Sequence, residues 1–297
     1  MTTPTTTTSD GTQTASSPGA TSDGPPADVR VPEAGRVARA GRLSRRLLPP
    51  VVAVALIAVV WQGLVWSGWR PDYLLPGPAT VFGTLVDIVG EPGFWPALAR
   101  TLTRAVVGFA IAVVVGTVIG LAAAGSKVLR AAVGSLITGL QTMPSVVWFP
   151  LAILLLGLGE QAIMLVVVLG AAPSIANGVL SGVDHVPPAF FKLGTVLGAR
   201  GLTLHRHIVI PAALPAYVSG LNQGWAFAWR SLMAGELLVV IPGAAALGNR
   251  LAFAQEFGDA AGLMAHMIVI LVVGMLADAG FSAWARWLRR RRGLERA

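Results

Sequence analysis

A chain of 297 residues that is 54% hydrophobic and 12% charged, with mean hydropathy +0.70, has too little polar surface to cover a soluble globule and reads as a membrane protein. Its net charge of +8 would suggest nucleic acid in a soluble protein, but the arginines gather in the two tails and in short segments between apolar runs. That distribution fits anionic lipid headgroups instead, and the absence of cysteine excludes a disulfide framework and a thiolate metal site.

Residues 1–29 are dominated by Thr, Ser, Pro, Gly and Asp, have almost nothing to bury, and are expected to be disordered. Arg30, Arg36, Arg39, Arg42, Arg45 and Arg46 follow, so 1–46 reads as a disordered, basic cytoplasmic tail. The first apolar run, 47–69, imitates a signal peptide, but no Ala-x-Ala-like site with a polar region follows it. It is expected to be a retained anchor helix. Leu75-Pro76-Gly77-Pro78 and the run 79–89 then predict a turn and a short amphipathic helix on the outer surface.

A bilayer core of roughly 30 Å takes about 20 apolar residues of helix. Further runs of that kind occupy 105–124, 131–159, 161–183, 208–229 and 260–277. The long third run contains Pro144 and Pro150, and because proline removes a donor and clashes with the preceding turn, a kinked or discontinuous helix is expected. The fifth run is expected to continue past Arg230 and Glu236 towards Val240, and the sixth past Asp278 towards Trp284. The expected fold class is all-α, a polytopic membrane protein with about six transmembrane helices, a core at 70–285 and a basic cytoplasmic tail at 286–297.

Orientation follows from the basic residues. With both tails cytoplasmic, Lys127, Arg130, Lys192, Arg200, Arg206, Arg286 and the arginines of 289–292 fall inside, whereas the outer loops hold Arg70, Asp72, Asp87, Glu91, Glu160, Arg250, Glu256 and Asp259. Arg100 and Arg104 do not fit this pattern and are expected to snorkel to the outer interface; Asp278 is expected near the cytoplasmic one. Ionisable groups inside spans cost about 2.5 to 3.5 kcal/mol on insertion scales and are functional candidates. Glu236 either pairs with another helix, faces a water-filled path or sits at the outer interface. Trp148, Trp225 and Trp229 are open to belt, packing or substrate-contact roles.

Segment 184–211 is a polar, basic interruption between the fourth and fifth runs. Pro187 and Pro188 can start a short helix. Phe190, Leu193 and Leu197 give that helix an apolar face, and Gly198 permits a tight turn after it. The product is a small helix with an apolar knob, which either fits a groove on a partner or packs on its own bundle. The four histidines have no metal-ligand spacing, and no P-loop, nucleophile elbow or His-Glu-x-x-His pattern occurs.

Gly198 followed after nine residues by Ile208, then Ile210 and Pro211, with Lys192-Leu193-Gly194 upstream, resembles the cytoplasmic coupling loop of ABC importer permeases. In that family's Glu-Ala-Ala pattern Lys192 takes the place of the acid, and Ile210 that of a leucine. Met143-Pro144-Ser145-Val146-Val147-Trp148-Phe149-Pro150 with Gly157-Leu158-Gly159-Glu160, and Ala228-Trp229-Arg230-Ser231-Leu232 with Ala234-Gly235-Glu236, resemble the permeases for nitrate, sulfonate and taurine.

The resemblance, over roughly 70–285, implies a type I importer permease (MetI-like) fold and a non-catalytic subunit without cofactor. It implies a homodimer, two copies of an ABC ATPase subunit and an extracytoplasmic substrate-binding protein, all at a bacterial plasma membrane and without nucleic acid. The cargo implied is nitrate, an aliphatic sulfonate, taurine or a similar small solute. It assigns Pro187, Pro188, Lys192, Leu193, Leu197, Gly198, Ile208 and Pro211 to ATPase coupling, and makes Pro144, Trp148, Trp229 and Glu236 candidates for the translocation path. The alternative, an ion-coupled secondary transporter or channel subunit, would call for inverted repeats or ionisable groups near midspan.

Overall fold

The computed structural model describes residues 37–198 and 201–291. The described residues form helices and connecting turns: α1 (Val37–Trp66), α2 (Pro78–Gly90), α3 (Phe94–Ala124), α4 (Lys127–Thr142), α5 (Phe149–Leu156), α6 (Glu160–Asp184), α7 (Pro188–Val196), α8 (Leu202–Leu204), α9 (Ile210–Leu238), α10 (Leu247–Glu256) and α11 (Ala260–Arg291). The chain falls into two units, one ending at Ala55 and one running from Leu56. The expected disorder of 1–36 lies outside the described residues. From Val37 to residue 46 the chain is helical instead, a correction to the tail boundary consistent with the good helix propensity of arginine and alanine.

Long helical segments occupy the places of the six expected runs: α1, α3, the α4–α5 pair, α6, α9 and α11. Among these, α3, α6 and α11 are long and apolar enough to cross a bilayer by themselves. The third run is broken as expected, Val128–Thr142 and Ser145–Leu156 meeting at 100°. Met143, which precedes Pro144, is extended with φ −83° and ψ 130°, the conformation that a following proline enforces. A 3₁₀ turn over Ser145–Trp148 then starts α5. The 29 residues of α9 are also long enough to cross, but Arg230 and Glu236 lie within it. The apolar part of α1, Val51–Trp66, is shorter. Helix α10 was not expected; the segment holding Arg250 and Glu256 was read as an outer loop.

Helix α6 is the centre of the fold, with 67% of its apolar window buried against 33% for α3. Both α3 and α9 pack on it. Small residues make the approach possible: a Cβ added to Gly178 of α6 would stand 2.8 Å from the Cα of Gly220 on α9, well inside van der Waals contact. Phe149, Ile163, Val166 and Leu232 fill the core further along the two helices. Trp225 of α9 stacks on Phe281 of α11 at 5.7 Å, and Phe109 of α3 meets both rings edge-on. Gly178→Leu is expected to wedge α6 from α9 and destabilise the fold by about 1 to 3 kcal/mol or more. Thermal melting in detergent checks it against Gly134→Ala, where a Cβ meets nothing within 4 Å; equal melting of the two variants would refute the close packing.

Candidate functional site

Two places concentrate the chain's polar chemistry, and the first was legible only in part. Thr101 and Arg104 lie on one face of α3, Glu160 opens α6, Glu236 lies near the end of α9, and the backbone N–H groups of Leu247 and Gly248 begin α10. Arg104 donates from Nε to Glu160 Oε2 at 2.8 Å, from Nη2 to Glu160 Oε1 at 2.5 Å and from Nη1 to Glu236 Oε1 at 3.0 Å. The bidentate arm to Glu160 matches the fork of the guanidinium to the two carboxylate oxygens.

Glu236 also accepts from Thr101 Oγ1 at 2.9 Å and from the Gly248 amide at 3.1 Å, while Thr101 Oγ1 accepts from the Leu247 amide at 3.0 Å. Asn249 Nδ2 closes the network on the carbonyls of Glu236 and Val239. Two otherwise orphaned amides at the start of α10 thereby gain acceptors, one of them anionic. Arg104 is 3% exposed and Glu236 0%, whereas the Glu160 side chain is 49% exposed. The expectation that Arg104 snorkels to an interface is therefore corrected: it is a buried clamp joining α3, α6 and α9. Glu236 pairs with other helices, one of the three alternatives left open above.

The second place is the segment between α6 and α9. The Phe190 amide bonds to the Pro187 carbonyl at 2.9 Å and opens α7. Phe190, Leu193, Val196 and Leu197 are 43%, 54%, 84% and 73% exposed, so the described residues do not cover the knob. Gly198 follows with φ +77°, a left-handed conformation that side chains oppose. Gly194 is buried beside Leu204 and Ile208, which seats α7 on the next turn. The chain passes through α8 and a π-helical turn, His205–Val209, into α9, with Pro211 in its first turn. Arg130 pairs with Asp184 and ties α4 to the end of α6 at the same end of the fold.

The residues named for a path occupy three different places. Pro144 is exposed and Trp148 half-buried at the α4–α5 break, and Glu236 is in the clamp. Trp229 lines a cavity between α9 and α11 with Arg230 and Asp278. Helix α11 carries Asp278 within its length and runs on to Arg291.

An all-helical membrane bundle with an uncovered apolar helix between two spans, and no nucleotide-binding motif in its sequence, has the make-up of a transport subunit driven by a partner. Residues 116–293 match the model of the family described as binding-protein-dependent transport system inner membrane component, and the chain belongs to that family. It is 28% identical over 251 residues to the taurine transport system permease protein TauC of Escherichia coli, covering 83% of this chain and 90% of that one. It is likewise 28% identical over 244 residues to the nitrate import permease protein NrtB of Synechocystis, covering 79% and 86%. Its fold matches a chain of the inward-facing MetNI methionine ABC transporter with a TM-score of 0.56 at 20% identity, over 69% of this chain and 99% of that one. The chain is thus a membrane-spanning, non-catalytic permease subunit of an ABC importer of the MetI-like fold, which works with a separate ATPase subunit and a binding protein.

Proposed function

We propose that the chain forms a homodimer in a bacterial plasma membrane, binds two ATPase subunits through its α7 helices, and imports a small oxyanion such as nitrate, an aliphatic sulfonate or taurine. The uncovered knob of α7 carries this reading, since an apolar helix face left open beside a left-handed glycine turn is the form of a docking element. The cargo is supported by the names of the relatives, and cytoplasmic termini by the arginine distribution.

ATPase closure presses on Phe190, Leu193 and Leu197. The push enters α9 through Ile208 and Pro211, and α9 is a rod of roughly 43 Å that ends in the clamp. Displacement of α9 is thereby conveyed to α3 and α6 through Glu236, Arg104 and Glu160. Trp229 on the rod and Pro144 with Trp148 at the broken span are assigned to the path; Glu236 acts on it through Arg104.

The test is uptake by proteoliposomes holding the permease, its ATPase and its binding protein, with nitrate, taurine and ethanesulfonate offered separately. ATP-dependent accumulation of at least one is expected, and accumulation of none sinks the cargo reading. Orientation is checked on the naturally cysteine-free chain with an impermeant maleimide: Ala189→Cys is expected to react only from the ATPase side and Asp72→Cys only from the opposite one. Labelling of Ala189→Cys from the side opposite the ATPase would overturn the topology.

A further inference from the structure

The cavity between α9 and α11 has a volume of about 520 Å³ and opens on the surface of the bundle. Its walls include Trp225, Trp229, Gly274 and Met275, and its charged members are Arg230 and Asp278. Both charged side chains are exposed. Among the described residues neither forms an ion pair, with the other or with any third group, although they border the same space. The Arg230 guanidinium lies 5.2 Å from the centre of the Phe227 ring, a contact that orients its plane and leaves its N–H donors unspent. A Cβ on Gly274 would come within 2.6 Å of Trp229 Nε1, so the glycine lets the indole nitrogen reach the α11 side of the cavity.

Opposite charges on membrane-spanning helices gain by pairing, because an isolated one is costly. Two that line one cavity and stay apart leave room for a molecule that meets both. We propose that this cavity is a binding station for a small zwitterion bearing an oxyanion and an ammonium group. The Arg230 fork takes two oxygens of the anionic end, the Trp229 indole N–H donates to it as well, and Asp278 takes the ammonium. The ring of Trp229 covers the methylenes between. The proposal deepens the transport reading by narrowing its cargo, and rests on that reading for the solute's route but not for the binding.

The full-length permease with its ATPase, in nanodiscs of phosphatidylglycerol and without binding protein, is titrated calorimetrically with taurine, ethanesulfonate and ethylammonium. Taurine is expected to bind about tenfold or more tightly than either half-molecule, each charge-assisted contact supplying that factor. Asp278→Asn is expected to bring taurine to the affinity of ethanesulfonate while leaving ethanesulfonate unchanged, and Arg230→Gln to weaken both about tenfold. Asp278→Glu and Arg230→Lys, which keep the charges, are expected to retain most of the binding, and co-purification with the ATPase verifies that each variant is folded.

Equal affinities for taurine and ethanesulfonate, or heats unaltered by both neutralising variants, overturn the proposal. If phosphatidylethanolamine in the disc competes with taurine, the station stands and its occupant is a lipid headgroup of the same chemistry. Uptake that persists while the titration is flat sinks the station alone; a positive titration with no ATP-driven uptake sinks the transport reading alone.

Discussion

Arg104→Met is expected to be the most destabilising single change in the clamp, costing about 3 to 5 kcal/mol, because it strands a fully buried carboxylate. Glu236 would keep Thr101 and the Gly248 amide but lose the cation that meets it, and the half-exposed Glu160 would turn to solvent. Glu236→Leu should fall in the same range for the reciprocal reason: it leaves the Gly248 amide and the Thr101 hydroxyl without their acceptor. Glu160→Gln should cost about 1 kcal/mol or less, since a carboxylate 49% exposed is screened and can be replaced by water. Melting curves of the purified variants in one detergent give the ranking. If Glu160→Gln melts below Arg104→Met, or Arg104→Met melts with the unaltered protein, the clamp does not hold α3 to α9.

Gly198→Glu is expected to abolish ATP-driven uptake while the spans fold and insert normally. The position has φ +77°, so a glutamate there adds about 1 to 3 kcal/mol of local strain and also places a charge beside the apolar knob. Among the described residues a Cβ there meets nothing within 4 Å. The damage therefore falls on the turn and on the partner's surface. Gly198→Asn separates the two, because asparagine tolerates the left-handed region and is expected to retain most of the coupling. Lys192→Glu, which restores the residue of the Glu-Ala-Ala pattern, is expected to be tolerated. Uptake, stimulated ATP hydrolysis and co-purification with the ATPase are measured for all three; normal uptake by Gly198→Glu would show that α7 does not transmit the stroke.

What the sequence determined by itself is local or periodic. Apolar runs long enough to cross a bilayer do not depend on what they pack against, so α3, α6 and α11 were legible from hydropathy. Pro144 breaks the third span whatever its surroundings, because the restriction it places on Met143 is covalent. The turn at Gly198 and the apolar face of α7 were readable for the same reason: both arise within a dozen residues.

Tertiary structure alone decided the clamp. Arg104 meets Glu160 across 56 positions of sequence and Glu236 across 132, and no spacing rule connects a charge to a partner on another helix. Read singly, each was a charge near the end of an apolar run, and the interface was its cheapest place. Burial became affordable only when α3, α6, α9 and α10 brought one cation, two carboxylates and two free amides within hydrogen-bonding reach. Helix α10 was missed for a related reason: its first amides are held by Thr101 and Glu236, acceptors supplied by other helices. Arg230 and Asp278 likewise became neighbours on one cavity only through the packing of α9 beside α11. Hydropathy sets which segments leave water, whereas the pairing of charges among those segments depends on the distances that the packed helices create.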